Sequence, residues 1–277
     1  MTRRLVSKTV MLMMACGLLM VTRLPITHGY DAKATATPDA PSTEATAEAT
    51  SETPMATYEN PYADIPFSRT EDGAPVLGNP DAPITIIEFA DFACPYCQRY
   101  EQTMQQFIKE FVVTGRAKYE FRVFPTAGGR MTVFVGSIAS CFEDQQAGVF
   151  WPLHDLLYAH AEAEIYNEDM LKAMATVFNL NFEDALTCIG DRGKALQVET
   201  DVQLGHSLGV GGTPAIRVRY KGHNDEQAQS LIVDGQSHDQ GGPPLSVLKQ
   251  AVEDAEAGNI PTPEGTPAVP ILPGDPI

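Results

Sequence analysis

The chain has 277 residues, 43% hydrophobic and 20% charged, enough for a sizeable core in one or two domains. Its formal net charge of −17 argues against a nucleic-acid binder, which needs a basic face to meet phosphates. Five cysteines exclude a disulfide-rich miniprotein, and their spacing gives no four-ligand zinc ribbon.

Arg3, Arg4 and Lys8 precede an apolar run from Thr9 to Val21. A bilayer span needs ~20 residues. The shorter run has the form of an export signal. Thr27-His28-Gly29 is a poor cleavage site, and adding Leu5, Val6 and Leu24 makes an uncleaved anchor with its positive end inside. Residues 1–29 are therefore read as a signal peptide or a membrane anchor. Both place the rest of the chain outside the cytoplasm. Cys16 is followed by Gly17-Leu18-Leu19-Met20 instead of a polar start, and is read as apolar filler. Residues 30–57, rich in Ala, Thr, Pro and Glu, bury too little to order themselves and read as a disordered stalk. Residues 258–277 read as a disordered, proline-rich tail. The folded unit is placed at 58–257.

Thr85-Ile86-Ile87-Glu88-Phe89-Ala90 reads as a buried central strand, interrupted by Glu88. Tyr100, Met104, Phe107, Ile108 and Phe111 recur at helical spacing, and Thr114-Gly115 ends that helix. Lys118 to Phe124 reads as the next strand. Strand, helix and strand in this order imply a parallel pair. From about 129 to 207 the pattern is helical, with helices at Thr132–Gln146, Phe150–Ala161, Glu168–Phe178, Phe182–Ile189 and Asp191–His206. Ala215 to Tyr220 and Ser230 to Val233 read as a hairpin with a charged connection. Pro244 opens a last helix with Leu245, Leu248, Val252 and Ala255 on one face.

Cys94-Pro95-Tyr96-Cys97 lies between the buried strand and the amphipathic helix. Free backbone N–H groups and the positive dipole end of a helix stabilise an anion there. A thiolate at that point has a depressed pKa, and the thiolate attacks disulfides. Cys94 is expected at the helix start, exposed to substrate. Cys97 lies one turn deeper, placed to attack a mixed disulfide on Cys94. Pro95 suits the first turn, where its missing N–H costs little. The alternatives are a zinc knuckle or a static disulfide. Zinc needs two more ligands, and no second C-x-x-C or suitable histidine pair is present. Gly211-Gly212-Thr213-Pro214 precedes the hairpin. Pro214 is either an edge proline or, as a cis proline beside a dithiol, leaves the preceding backbone free to pair with extended substrate.

These pieces, in this order, resemble the DsbA-like thiol–disulfide oxidoreductases of the thioredoxin superfamily. The resemblance rests on Phe92-Ala93-Cys94-Pro95-Tyr96-Cys97, Phe121-Arg122-Val123-Phe124-Pro125, the helical insertion and Gly209-Val210-Gly211-Gly212-Thr213-Pro214. It runs from about Val76 to Val252. It implies an α/β thioredoxin-like fold, a central mixed sheet flanked by helices, with an inserted all-helical subdomain. It implies Cys94 as nucleophile, Cys97 as resolving cysteine, and Pro214 as the cis proline preceded by Thr213. Glu88 stands where such proteins often carry a buried acid under the dithiol, able to shuttle the proton of Cys97. The other reading is an edge-exposed glutamate. Lys118 or Arg122 is offered as its cationic partner. Tyr96 replaces the histidine of the most oxidising members, which implies a less oxidising potential.

Cys141 and Cys188 remain. An exported protein usually pairs two such cysteines, and the resemblance agrees; two buried free thiols are the alternative. His154 is read as structural; for His206, near the Pro214 loop, a place close to the active face is the lesser alternative. The function implied is extracytoplasmic oxidation of dithiols on exported proteins, with reoxidation by a DsbB-like or VKOR-like membrane partner. The alternatives are an extracytoplasmic reductase, as in cytochrome c maturation, and a non-catalytic peptide-binding module. No cofactor, metal or nucleic acid is expected, and the protein is expected to be a monomer.

Overall fold

The structure is a computed structural model that describes residues 58–161, 167–190 and 193–261. All of these belong to one unit, Pro54–Ile277. The segments read as export signal, stalk and tail, with Cys16, lie wholly or mostly outside the described residues.

Strands β1 (Phe67–Arg69) and β2 (Pro75–Leu77) come first, then β3 (Ile84–Ala90). Helix α1 (Pro95–Phe107) runs on through a π-helical segment, Ile108–Val112, to strand β4 (Lys118–Val123). Five helices follow: α2 (Arg130–Gln145), α3 (Phe150–Ala161), α4 (Glu168–Val177), α5 (Phe182–Gly190) and α6 (Gly193–Ser207). Strands β5 (Ala215–Tyr220), β6 (Gln229–Ser230), β7 (Ile232–Val233) and β8 (Gln236–Ser237) precede helix α7 (Leu245–Glu256).

The main sheet has the order β1-β2-β4-β3-β5-β6. Strands β3 and β4 are parallel and the other neighbours antiparallel, so the sheet is mixed. Every residue of β3 is buried, as its apolar run requires for a strand covered on both faces. Strands β1 and β2 are too short to leave a periodic pattern. The expected Ser230–Val233 strand divides at the buried Leu231: β6 stays on the main sheet, while β7 turns back to β8. The turn is Asp234-Gly235, both at positive φ (51° and 73°), as a two-residue hairpin of this kind demands.

The pleat sends alternate residues to opposite faces. One face carries Ile86, Glu88 and Ala90 beside Tyr119, Phe121 and Val123, and merges into the main core with α1, α3 and α7. The other carries Ile87 and Phe89 with Phe124 and Val210. On this second face lies Arg122, fully buried and bonded to Glu120, Asp201, Asp72 and Asp225. Burial works against its charge, and the carboxylates of Glu120, Asp201 and Asp72 outweigh it. Arg122 is therefore not the partner of Glu88: the two point to opposite sides of the sheet. Lys118 shares the parity of Arg122 and is also excluded by register.

Cys141 on α2 and Cys188 on α5 are joined by an S–S bond across 47 residues of sequence. Trp151 packs against Tyr119 of the sheet and Tyr62 ahead of it, so α3 is fastened to the core.

Breaking one partner of a buried ion cluster leaves the others uncompensated. Arg122→Met is expected to lower stability by about 3–5 kcal/mol. Urea unfolding at pH 7 checks this, and a loss below about 1 kcal/mol contradicts it.

Candidate active site

Strand β3 ends at Ala90, and the chain turns through Asp91-Phe92-Ala93 into α1. Asp91 is fully buried and ties this turn together. Its carboxylate accepts from the backbone N–H of Ala93 at 2.9 Å, Thr126 at 2.7 Å and Gly128 at 2.9 Å, and from the Thr132 hydroxyl. It thus locks the loop before α1 to the loop after β4. The sequence reading missed Asp91. The available signal was an acid at a strand end directly before the dithiol, which needs several donors if it is buried.

Cys94 is the N-cap residue of α1, with extended backbone and Pro95 in the first turn. Its N–H donates to Asp91 O at 2.9 Å, and its carbonyl accepts from the Gln98 N–H at 3.0 Å. The peptide between Thr213 and Pro214 is cis. Cys94 Sγ donates to the Thr213 carbonyl at 3.4 Å. Cys94 is only 4% exposed, against the expectation of an open sulfur. The neighbouring Pro95 and Tyr96 are exposed, Tyr96 with the Arg99 guanidinium 4.6 Å from its ring centre.

The two sulfurs titrate apart. The Cys97 thiol donates to a Cys94 thiolate, and with the Thr213 side chain and the backbone N–H groups of Cys97 and Tyr96 it outweighs burial; the Cys94 pKa falls to about 5. Cys97 is fully buried, and its pKa is pushed far up by its bond to Cys94, by burial and by the charge of Glu88. The arrangement presents one thiolate at a helix N-terminus above one neutral thiol, the pair of states that thiol–disulfide exchange uses.

Glu88 is 1% exposed and accepts from the Tyr119 hydroxyl at 2.7 Å. Burial, and then the charge of Glu101, pushes its pKa up to about 8, against the pull of Tyr119 and His154. Beside Pro214 an open groove of about 390 Å³ is lined by Tyr96, Arg99, Tyr100, Thr213, Pro214 and Gly241. Gly242 lets the chain cross the Tyr100 ring, since a Cβ there would lie 2.2 Å from it. Thr126 and Thr213 join their hydroxyls at 2.7 Å across the site. His206 is exposed, its ring 5.2 Å from that of Phe124. Cys141 and Cys188 are bonded to each other and stand outside the dithiol site.

Among the described residues, one cluster has the donor types of a metal site: Glu101, His154 and Asp155. Its carboxylates face different nitrogens of the imidazole, and Tyr62 and Gln105 already bond to Asp155. The set brackets a histidine instead of converging on one point.

A family model described as Thioredoxin matches residues 70–233. The disulfide bond formation protein D of Bacillus subtilis is 30% identical over 156 residues, 54% of this chain and 69% of that one. The Na(+)/H(+) antiporter NhaA 1 of Salinispora arenicola is 30% identical over 149 residues, 54% of this chain. That match spans only 22% of the antiporter. Among solved structures, alpha-DsbA1 of Wolbachia pipientis superposes with a TM-score of 0.55 at 21% identity, covering 67% of this chain and 92% of that one. BdbD of Bacillus subtilis, in its oxidised form, gives 0.52 at 23% identity, covering 69% and 96%. These superpositions carry the fold.

Thiolate absorbance at 240 nm, followed against pH in the reduced protein, is expected to show a first midpoint near the Cys94 value of about 5. In Cys97→Ala the main donor is gone, and the midpoint is expected to rise by about one pH unit or more. An unmoved midpoint contradicts the assignment.

Proposed function

The chain belongs to the thioredoxin family, and from that premise we propose that it is a thiol–disulfide oxidoreductase whose Cys94–Cys97 disulfide oxidises dithiols of exported proteins. The observation that carries the reading is the asymmetric pair, a stabilised thiolate on Cys94 over a buried thiol on Cys97. A stabilised Cys94 thiolate favours the reduced protein, and so makes its disulfide a better oxidant.

A substrate thiolate attacks Cys94 Sγ, the bond to Cys97 breaks, and Cys97 leaves with the electron pair. Glu88, pushed up to about 8, holds a proton at neutral pH and gives it to the Cys97 thiolate. A second substrate thiolate then attacks the substrate sulfur of the mixed disulfide. The substrate leaves with its own disulfide, two electrons stay on the two cysteines, and Cys94 remains a thiolate. The groove beside Thr213 and Pro214 holds the substrate backbone in extended form.

In this reading residues 58–257 are the catalytic unit, with the helical insertion at about 129–207. Residues 1–29 direct export or anchor the chain, and 30–57 tether it. Clients are exported proteins carrying cysteines. A quinone-linked membrane partner of the DsbB or VKOR kind takes the electrons. Support for this placement comes from the apolar run behind Arg3, Arg4 and Lys8. Among the described residues no helix is long and apolar enough to cross a membrane.

The reduction potential of Cys94–Cys97, measured in glutathione buffers, tests the direction. A value above about −180 mV is expected of an oxidant. A value below about −250 mV makes the protein a reductase and overturns the proposal. Cys94→Ser is expected to abolish oxidation of a reduced protein substrate; retained activity contradicts a catalytic dithiol.

A further inference from the structure

One cluster of titratable groups lies beyond the dithiol. His154 of α3 is fully buried. Its Nδ1 is 3.3 Å from Asp155 Oδ1, and its Nε2 is 3.8 Å from Glu101 Oε2. Nε2 has no hydrogen-bond partner among the described residues. Its ring meets Phe121 and Tyr119 edge-on, with centroids 4.7 Å and 6.3 Å away. The titratable groups facing it are Glu88 from β3, Glu101 from α1, Tyr119 from β4, and Asp155 and Tyr158 from α3. Tyr62 joins through its hydroxyl, which donates to Asp155 at 2.7 Å.

Three acids thus surround one base. Among the described residues no lysine or arginine is paired with Glu88, Glu101 or Asp155. An uncompensated buried carboxylate is strongly unfavourable. A cation at His154 is the compensation the geometry offers. Burial opposes that charge, and Glu101, Asp155 and Glu88 outweigh it, raising the His154 pKa. Glu101 and Asp155 also line an open hollow of about 320 Å³ with Gln98, Gln102 and Gln105, so the set can exchange protons with water.

We propose that His154, in its protonated form, is the countercharge of this buried acid set and acts as a positioning residue that governs the proton Glu88 delivers to Cys97. The proposal rests on the thiol–disulfide reading above. Among the described residues His154 makes no hydrogen bond to either sulfur. Its positive charge favours the Glu88 carboxylate, and the negative charge of Glu101 favours the protonated form. Removing one or the other must therefore shift Glu88 in opposite directions, a result that a merely structural role does not produce.

The test follows the Glu88 carboxyl in the full-length reduced protein by carbon-13 NMR with labelled glutamate, assigned through Glu88→Gln. His154→Gln is expected to raise the Glu88 midpoint by about one pH unit, and Glu101→Gln to lower it by about as much. The alkaline limb of Cys97 release from the protein's disulfide is expected to move with it in each variant. Shifts in the same direction, no shift, or a limb that does not follow overturns the proposal. If His154→Gln fails to fold, nitrogen-15 NMR of His154 in the wild type decides: a protonated ring at pH 7 is expected, and a neutral ring overturns the proposal. Exchange by the wild type is measured alongside. A wild type that exchanges no disulfides defeats the functional reading; a wild type that exchanges, with an unmoved Glu88, defeats only this one.

Discussion

One negative charge, held on Cys94 Sγ at the first turn of α1, is the constraint on which the site depends. The charge is kept by the Cys97 thiol below, the Thr213 side chain beside, and the backbone N–H groups of Cys97 and Tyr96. Each of these comes from a different demand on the chain. The helix start is set by Pro95, the depth of Cys97 by the buried stripe Cys97, Tyr100, Met104 and Phe107, and the Thr213 side chain is itself held by the Thr126 hydroxyl. Asp91 holds the turn still by taking its donors from both loops. A charge so placed is stabilised only while those donors stay aligned, so the rigid fold is part of the chemistry.

The sheet separates two electrostatic tasks. Glu88 faces the aromatic core beneath the dithiol, where burial keeps it protonated near neutral pH. One residue to the side in register, on the opposite face, the Arg122 cluster holds its acids with a permanent cation. Glu88 is left to the weaker, titratable charge of His154. A guanidinium in its place would fix Glu88 as a carboxylate and remove it from proton exchange.

The dithiol motif, the buried strand and the five helices of the insertion were legible because long periodic segments and C-x-x-C leave strong local patterns. Helix α3 falls at the residues its pattern gave, and α2, α4 and α5 within two residues at either end. What the sequence did not disclose depends on register or on distant contacts. Lys118 and Arg122 are close to Glu88 in composition and on the wrong side of the sheet in fact. The near-burial of Cys94 goes with a contact to a carbonyl 119 residues away. Asp91 looks like an ordinary turn acid until its donors from Thr126 and Gly128 are seen. The Asp234-Gly235 turn, by contrast, carries a readable hairpin signal that the expected pairing of Ser230–Val233 with Ala215–Tyr220 leaves unused.

The central claim is that the fold makes two chemically equal sulfurs unequal. Residue-resolved alkylation of the reduced full-length protein by iodoacetamide at pH 6, read by peptide mass spectrometry, tests it directly. At that pH Cys94, with its pKa near 5, is mostly thiolate, whereas Cys97 is a buried thiol. The account predicts that Cys94 is labelled at least about 100-fold faster than Cys97. Equal rates, or faster labelling of Cys97, would contradict it.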